Sequence, residues 1–319
     1  MSAMTATLPR IWPSPGGTPL PPTGMAEVFR AFACDLAAAR RAWDARTARF
    51  IAGQFDELPG EWDTSRATGH DDPLRDALNR GGERLLALVA TCAYWGDDET
   101  DRWWIGGIEQ LAEPNRDGGL TSLLNLVRAP ATMVIYAAGV ASLAAERWRT
   151  LARILTEPHT PDPYTDSDAV PVAVLLGPAD VLSLRKSSER LYQQLQPVFT
   201  DHLALSQAAY TDAWERFEYL RLIAVYAAGR SLNGAPHMRR TGGLDTYQPL
   251  PAAWLERQVA RLGEGHPLLR AGFLDGHTGD LTAAHHRLVA DFSKWSSRVA
   301  WGGQQFIKAL SAPGQWGSG

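Results

Sequence analysis

The longest apolar stretch of the chain runs from Ala129 to Ala145 and contains no charged side chain. It falls short of the ~20 residues that a membrane-spanning helix needs, and Pro130 at its start fits the first turn of a helix. A helix that is apolar on every side has to be surrounded by other protein elements. We therefore expect a buried central helix that continues to Leu155, with other helices around it and no membrane span.

A second well-patterned helix is predicted over residues 206–232, where Trp214, Phe217 and Leu220 recur at helical spacing. Similar spacing predicts helices along most of the chain. A valine-rich segment after Ala169 could form a short strand, but prolines bracket it and no partner strand is evident, so we interpret it as irregular and buried. The sequence therefore predicts an all-α fold, an irregular bundle of about nine to eleven helices without a substantial sheet.

Proline and glycine divide the chain into four parts. Residues 1–23 are rich in Pro, Gly, Thr and Ser and predict a flexible leader. A proline-rich segment near residues 156–168 separates an N-terminal helical subdomain, 24–157, from a C-terminal helical subdomain, 158–310. The last residues, 311–319, predict a disordered tail.

The charge and cysteine content exclude several classes of function. The net charge is −4 and the basic residues form no long runs, which is unlike a nucleic-acid-binding surface. Both cysteines, Cys34 and Cys92, lie in apolar helical patterns and predict buried free thiols. We expect a cytoplasmic protein, because no secretory signal and no disulfide framework are recognisable.

One acidic motif could carry metal chemistry. Asp97, Asp98 and Asp101 follow the Asp-Asp-x-x-Asp pattern and resemble the first metal motif of class I terpene synthases. That resemblance implies Mg²⁺ ions that hold a diphosphate between carboxylates one helical turn apart. No segment matches the second metal motif of that family. The same acids stand at the start of a predicted helix, where Asp97 can cap and the others favour the helix dipole. We therefore favour capping, and no cofactor, over metal binding.

Other reactive patterns are weaker. No serine or cysteine stands in a nucleophile motif. His285 and His286 are adjacent on a predicted helix and point about 100° apart, so we interpret them as surface or structural residues. Arg239 and Arg240 precede a glycine pair and could hold a phosphate group, although a solvated loop is the simpler interpretation. The sequence thus favours a protein that is not an enzyme.

Tryptophan is the most suggestive residue type for an interface. Trp103 and Trp104 are adjacent in a predicted helix, so both cannot face the core, and Trp254 and Trp301 stand in or near loops. Exposed aromatic residues are enriched at protein–protein interfaces. We therefore take these four tryptophans as candidates for a surface that binds another protein chain.

Several short segments, spread over roughly residues 30–300, resemble the helical region of actinobacterial antiviral-defence proteins. The segments that carry the resemblance are 84–88, 94–97, 118–121, 135–139, 217–220 and 267–272. In such proteins this region usually follows a sirtuin-like, Toll/interleukin-receptor-like or nucleotide-binding effector domain, and it resembles a sensor or oligomerisation module without recognised catalytic residues. Here only the short leader precedes it, which implies a separate subunit acting with an effector, or a module of a larger chain.

Three functional hypotheses follow. The first is a non-catalytic, cytoplasmic helical subunit that binds an effector protein or its own copies in a bacterial defence or signalling assembly. The second is a divergent Mg²⁺-dependent enzyme similar to class I terpene synthases, with Asp97, Asp98 and Asp101 at its metal. The third is a module that binds a small ligand between helices, with Arg239 and Arg240 as phosphate contacts.

Overall fold

The structure is a computed structural model that describes residues 85–113, 128–162, 169–182, 187–230, 236, 238, 240–241, 248–276 and 278–299. Helices make up 81% of these residues, which confirms the all-α prediction. Among the described helices, none combines the length and the apolar character that crossing a membrane would require. The predicted leader and tail lie outside the described residues.

Eleven helices cover most of the described chain. They are α1 (described over residues 85–95), α2 (Asp98–Ala112), α3 (Ala129–Ala144), α4 (Trp148–Thr156), α5 (Val172–Leu175), α6 (Pro178–Leu182), α7 (Ser187–Pro197, continued by a π-helical turn over Val198–His202), α8 (Gln207–Ala227), α9 (Leu250–Leu262), α10 (Pro267–Arg270) and α11 (Thr278–Val299). The valine-rich segment after Ala169 becomes a two-residue strand followed by α5 and α6.

The strands form two minimal antiparallel pairs. β1 (His159–Thr160) pairs with β2 (Val170–Pro171), and β3 (Arg240–Thr241) pairs with β4 (Gln248–Pro249). His159 lies opposite Pro171, and Arg240 lies opposite Pro249. Each pair closes a loop between helices, so the prediction of no substantial sheet is confirmed for the described residues.

Helix α3 forms the centre of the fold, as its charge-free sequence predicts. Every residue from Ala131 to Leu143 is buried, and the helix begins with a proline in its first turn. Helices α2, α4 and α8 pack around it. The contact with α8 is aromatic, because the Tyr136 ring lies 4.9 Å from the Trp214 ring and 5.1 Å from the Phe217 ring. The core is therefore filled by side chains where these two helices meet.

The prediction that the central helix continues to Leu155 is wrong, because a tight corner after Ala144 separates α3 from α4. The N–H of Arg147 donates to the Ser142 carbonyl at 2.8 Å, and the N–H of Glu146 donates to the Leu143 carbonyl at 3.1 Å. This pair of bonds is a Schellman motif, whose left-handed position is held by Glu146 at φ 54° rather than by the usual glycine. The corner fixes Arg147 between the two helices.

One hydrophobic core connects the described helices. It extends from Leu86 in α1 to Leu288 in α11. Helices on either side of residue 157, such as α3 and α8, contribute to the same core. The division into two helical subdomains stays a prediction.

Candidate functional site

The described surface contains an open cleft of about 970 Å³. The start of α2, the first turn of α4 and the short helix α10 form its walls. Its lining residues are Asp97, Asp98, Glu99, Arg147, Trp148, Arg149, Thr150, Pro267, Arg270 and Ala271. We call this feature the α2/α4/α10 cleft. Its walls carry both acidic and basic groups, and its aromatic residue, Trp148, is half-buried.

Asp97 caps α2, as favoured from the sequence. Its carboxylate accepts the N–H groups of Glu99 at 3.1 Å and Thr100 at 2.8 Å. The Thr100 hydroxyl in turn accepts the Asp97 N–H at 2.8 Å, which completes a capping box. The hydrogen bond from the Thr100 N–H is the largest cause that lowers the pKa of Asp97. Asp97 is therefore held as an anion, and its carboxylate caps the helix that it precedes.

The other two acids of the motif have separate partners. Asp98 is exposed and forms an ion pair with Arg149 at 2.5 Å. Asp101 is fully buried, and one of its oxygens accepts from Arg147 at 2.9 Å and from the Thr150 hydroxyl at 2.5 Å. Across the described part of the chain, no three His, Cys, Asp or Glu side chains are grouped so that they could hold a metal ion.

Arg147 is the residue that joins α1, α2 and α4. Besides its bond to Asp101, it donates to the carbonyls of Cys92 at 3.0 Å and Ala93 at 2.8 Å, near the end of α1. Burial raises the pKa of Asp101, and the bonds from Thr150 and Arg147 partly offset that rise. Arg147 and Thr150, the two residues that donate to Asp101, both line the cleft. The ion pair between Arg147 and Asp101 therefore lies directly behind the cleft wall.

The tryptophans predicted as interface candidates have different environments. Trp104 is 1% exposed and lies in the core, so no partner can reach it in this fold. Trp254 is also buried and has the Arg216 guanidinium 5.1 Å from its ring centre. Two of the predicted site residues, Trp301 and Arg239, lie outside the described residues. For Trp103 and Arg240 the structure describes the backbone but not the side chain, and the Arg240 backbone forms part of β3.

Among the described residues, an aromatic side chain that is clearly exposed is that of Trp95, which was not among the four tryptophans predicted from the sequence. Its side chain is 56% exposed, and it packs edge-on against Tyr94 with ring centres 4.8 Å apart. It ends α1 two residues before Asp97, which lines the α2/α4/α10 cleft. The sequence does indicate that a helix ends at Trp95, because a glycine follows it and a capping residue, Asp97, follows the glycine. Such a break marks a helix end, where an aromatic side chain is more readily left outside the core.

A buried polar network links α3, α7 and α8 inside the core. The Tyr136 hydroxyl donates to one oxygen of Glu218, and the Ser188 hydroxyl donates to the other at 3.0 Å. The Arg221 guanidinium lies 3.7 Å from Glu218 and donates to the Ala173 carbonyl at 3.3 Å. Burial raises the pKa of Tyr136 well above its usual range, so the hydroxyl keeps its proton. The network joins helices and is closed to solvent.

A second buried chain of hydrogen bonds joins α8, α9 and α11. The Tyr219 hydroxyl lies 2.7 Å from Nδ1 of His285, and Nε2 of His285 lies 3.3 Å from Glu256. Burial raises the pKa of Tyr219, and its side chain is fully buried. This series resembles a proton relay in composition, but its hydroxyl end is closed to any substrate. His285 is thus a structural histidine, one of the two roles predicted for it.

Within the described residues, the tyrosines whose pKa burial raises are therefore held inside the core, and the α2/α4/α10 cleft is lined by accessible charged groups of both signs. Comparison with known proteins adds no assignment: no protein-family model matches the chain, and neither the curated proteins nor the solved structures gave a significant match.

Proposed function

We propose that this chain is a non-catalytic helical subunit that binds other protein chains, its own copies included, in a bacterial antiviral-defence or signalling assembly. The observation that carries the proposal is the exposure of Trp95 at the end of α1, two residues before the cleft residue Asp97. Large aromatic residues that remain exposed on a protein surface are typical anchors of protein interfaces. The resemblance of the helical segments to antiviral-defence proteins supplies the biological setting.

The distribution of reactive groups supports the absence of catalysis. Tyr136, Glu218, Tyr219 and His285 are all buried and hydrogen-bonded to one another or to other side chains of the core. Groups in such positions stabilise a fold but cannot contact a substrate. Each acid of the candidate metal motif is hydrogen-bonded or ion-paired with a neighbouring residue. This favours the hypothesis of a protein-binding subunit over that of a Mg²⁺-dependent enzyme.

The test compares association of the purified chain with that of two variants. Light scattering over a range of concentrations gives the native mass, and co-purification from the source cells gives any stoichiometric partner. Trp95→Ala is expected to weaken association by about 30-fold, as for a central interface residue. Gln193→Ala, an exposed change on α7 away from the cleft, should leave association unchanged.

Two results would contradict the proposal. One is a chain that stays monomeric at every concentration and brings down no partner in fixed ratio. The other is an assembly that Trp95→Ala and Gln193→Ala affect equally. Circular dichroism of both variants confirms that the helices remain folded.

A further inference from the structure

The two sides of the α2/α4/α10 cleft carry opposite charges. The acids that line it stand together at the start of α2, and we call this the acidic side; the arginines stand at the start of α4 and on α10, the basic side. Three acids and three arginines line the cleft, so the lining has no net charge. A partner of a single charge sign, such as a nucleic acid, would be repelled by one of the two sides.

Each side keeps one charge without a partner of opposite sign. The other two arginines of the cleft are paired with aspartates of α2. Glu99 on the acidic side and Arg270 on the basic side are both exposed, and neither forms an ion pair with any of the described residues. The cleft therefore presents a carboxylate on one side and a guanidinium on the other, and these two groups do not pair with each other.

The corner between α1 and α2 adds an aromatic residue next to the acidic side. Trp95 is 56% exposed and stands two residues before Asp97, which lines the cleft. Because consecutive Cα atoms are about 3.8 Å apart, the Cα atom of Trp95 lies within about 7.6 Å of that of Asp97. Residues 95–99, which we call the corner segment, thus offer an exposed aromatic ring followed by three exposed acids.

The basic side has the chemistry that such a segment requires. Trp148 is half-buried and Pro267 is exposed, and both line the cleft together with Arg270. A tryptophan ring packs favourably against another aromatic ring, and its face attracts an arginine guanidinium. The same guanidinium can accept a carboxylate as a charge-assisted partner. A cleft of about 970 Å³ is as large as those that enclose whole ligands, so it has room for a tryptophan side chain.

Both halves of this match belong to the same chain. A two-fold axis that runs along the cleft, between its sides, brings the acidic side of one copy opposite the basic side of the other. The corner segment of each copy then faces the cleft of the other, and every contact forms twice. A second copy therefore meets the aromatic residue and both unpaired charges at once.

We propose that the chain forms a symmetric dimer in which the corner segment of each copy occupies the α2/α4/α10 cleft of the other. Trp95 packs against Trp148 of the opposite copy, and Glu99 forms an ion pair with Arg270 of that copy. This inference rests on the proposed function, which it narrows from association in general to one surface, one partner and one symmetry.

Charge reversal in the full chain tests the pairing of Glu99 with Arg270, with the dimer Kd measured by sedimentation equilibrium. Glu99→Arg places two arginines opposite each other at both contacts, and Arg270→Glu places two glutamates there. Each variant alone is expected to raise the Kd at least about tenfold. An equimolar mixture of the two variants should recover association close to that of wild type, because the mixed dimer has an opposite pair at both contacts.

The matched control is Arg261→Glu, which reverses an exposed arginine on α9 that lines no part of the cleft. It should leave the Kd of the dimer unchanged, and mixing it with Glu99→Arg should give no recovery. All three substitutions are at exposed positions, so the variants should fold, and circular dichroism checks that they do. Recovery on mixing is a result that mere destabilisation of either variant cannot produce.

Three results would overturn the inference. One is a wild-type chain that stays monomeric at every concentration. Another is a dimer that neither charge reversal weakens, and the third is a mixture that associates no better than its separate variants. A monomeric chain that still binds a different protein in fixed ratio, or a dimer that only Trp95→Ala weakens, would overturn this inference while the proposed function stands.

Discussion

Gly139 of α3 lies directly against the ring of Phe217 of α8. A Cβ atom added at Gly139 would come closer than 3.0 Å to three atoms of that ring, Cδ2, Cε2 and Cζ. The missing side chain is what allows the two central helices to approach, because the ring of Phe217 fills the space above the glycine. Phe217 is itself fully buried, so it has no free space into which it can retreat.

Gly139→Ala is therefore expected to destabilise the protein by about 1–3 kcal/mol, even though alanine is the better helix former. The matched control is Gly106→Ala in α2, where a Cβ atom meets nothing within 4 Å. That change should stabilise the protein by up to about 1 kcal/mol. Unfolding in denaturant measures both free energies. Equal effects of the two substitutions would show that the contact with Phe217 carries no energy.

The central position of α3 could be predicted from the sequence, because a helix that is apolar on every side has to be buried among other elements. Its partner in the core was less evident. The pattern around Trp214 identifies α8 as a helix, but α8 also buries Glu215, Glu218 and Arg221. Charged residues in a pattern predict a solvent-facing side. Only the three-dimensional arrangement, in which Tyr136 and Ser188 donate to Glu218, accounts for the burial of Glu218.

The network around Glu218 should be energetically coupled. Glu218→Gln leaves the buried Arg221 guanidinium without its neighbouring charge, and we expect a loss of about 3–5 kcal/mol. Tyr136→Phe removes one hydrogen bond to a charged group and should cost about 1.5–3 kcal/mol. Denaturant unfolding of the two single variants and the double variant gives a coupling energy, which we expect to be about 0.5–3 kcal/mol.

A strictly additive double variant would contradict this account, since it would mean that Tyr136 and Glu218 stabilise the fold independently. Tyr210→Phe serves as the control. Its hydroxyl donates to the Tyr192 backbone carbonyl at 2.7 Å, outside the network, so its effect should add to that of Glu218→Gln.

Helix α1 illustrates why the exposure of Trp95 could not be predicted from the sequence. In α1, the residues Leu88, Thr91 and Trp95 follow one another along a side that is half-buried or exposed, while Val89 and Ala93 face the core. Both sides contain apolar residues, so periodicity alone cannot indicate which of them faces inward. The choice depends on the helices that pack against α1, and these are separated from it in sequence.

His266, whose buried Nδ1 accepts the Leu268 N–H at 3.1 Å, predicts a pH dependence of stability. Burial lowers its folded-state pKa below the unfolded value, so the unfolded chain binds the extra proton first as the pH falls. Stability from the neutral ring is complete above the unfolded value of about 6.5 and is lost as the pH falls toward the lowered pKa. His266→Asn keeps an oxygen that can accept the Leu268 N–H and removes the titration.

Unfolding free energies of wild type and His266→Asn at about pH 7.5 and about pH 5.5 test this expectation. Wild type should lose more stability than the variant between the two values. The difference between the two proteins isolates His266 from the other histidines of the chain. An identical loss in both proteins would mean that His266 does not change its protonation on unfolding within this range.

The acidic motif at the start of α2 gives the last prediction. Asp97→Ala removes the capping box and should cost about 1 kcal/mol, because the N–H groups of Glu99 and Thr100 lose their acceptor. Asp98→Ala removes an exposed ion pair with Arg149 and should change stability by less than about 0.5 kcal/mol. The lowered pKa of Asp97 adds a second expectation: the cap stabilises the fold above the usual pKa of aspartate, about 3.9, and is lost as the pH falls through the lowered value.

Thermal unfolding with and without Mg²⁺ separates capping from metal binding. Capping requires that Mg²⁺ leave the midpoint of the wild type unchanged, whereas a Mg²⁺-dependent rise that both Asp97→Ala and Asp98→Ala abolish would restore the metal hypothesis.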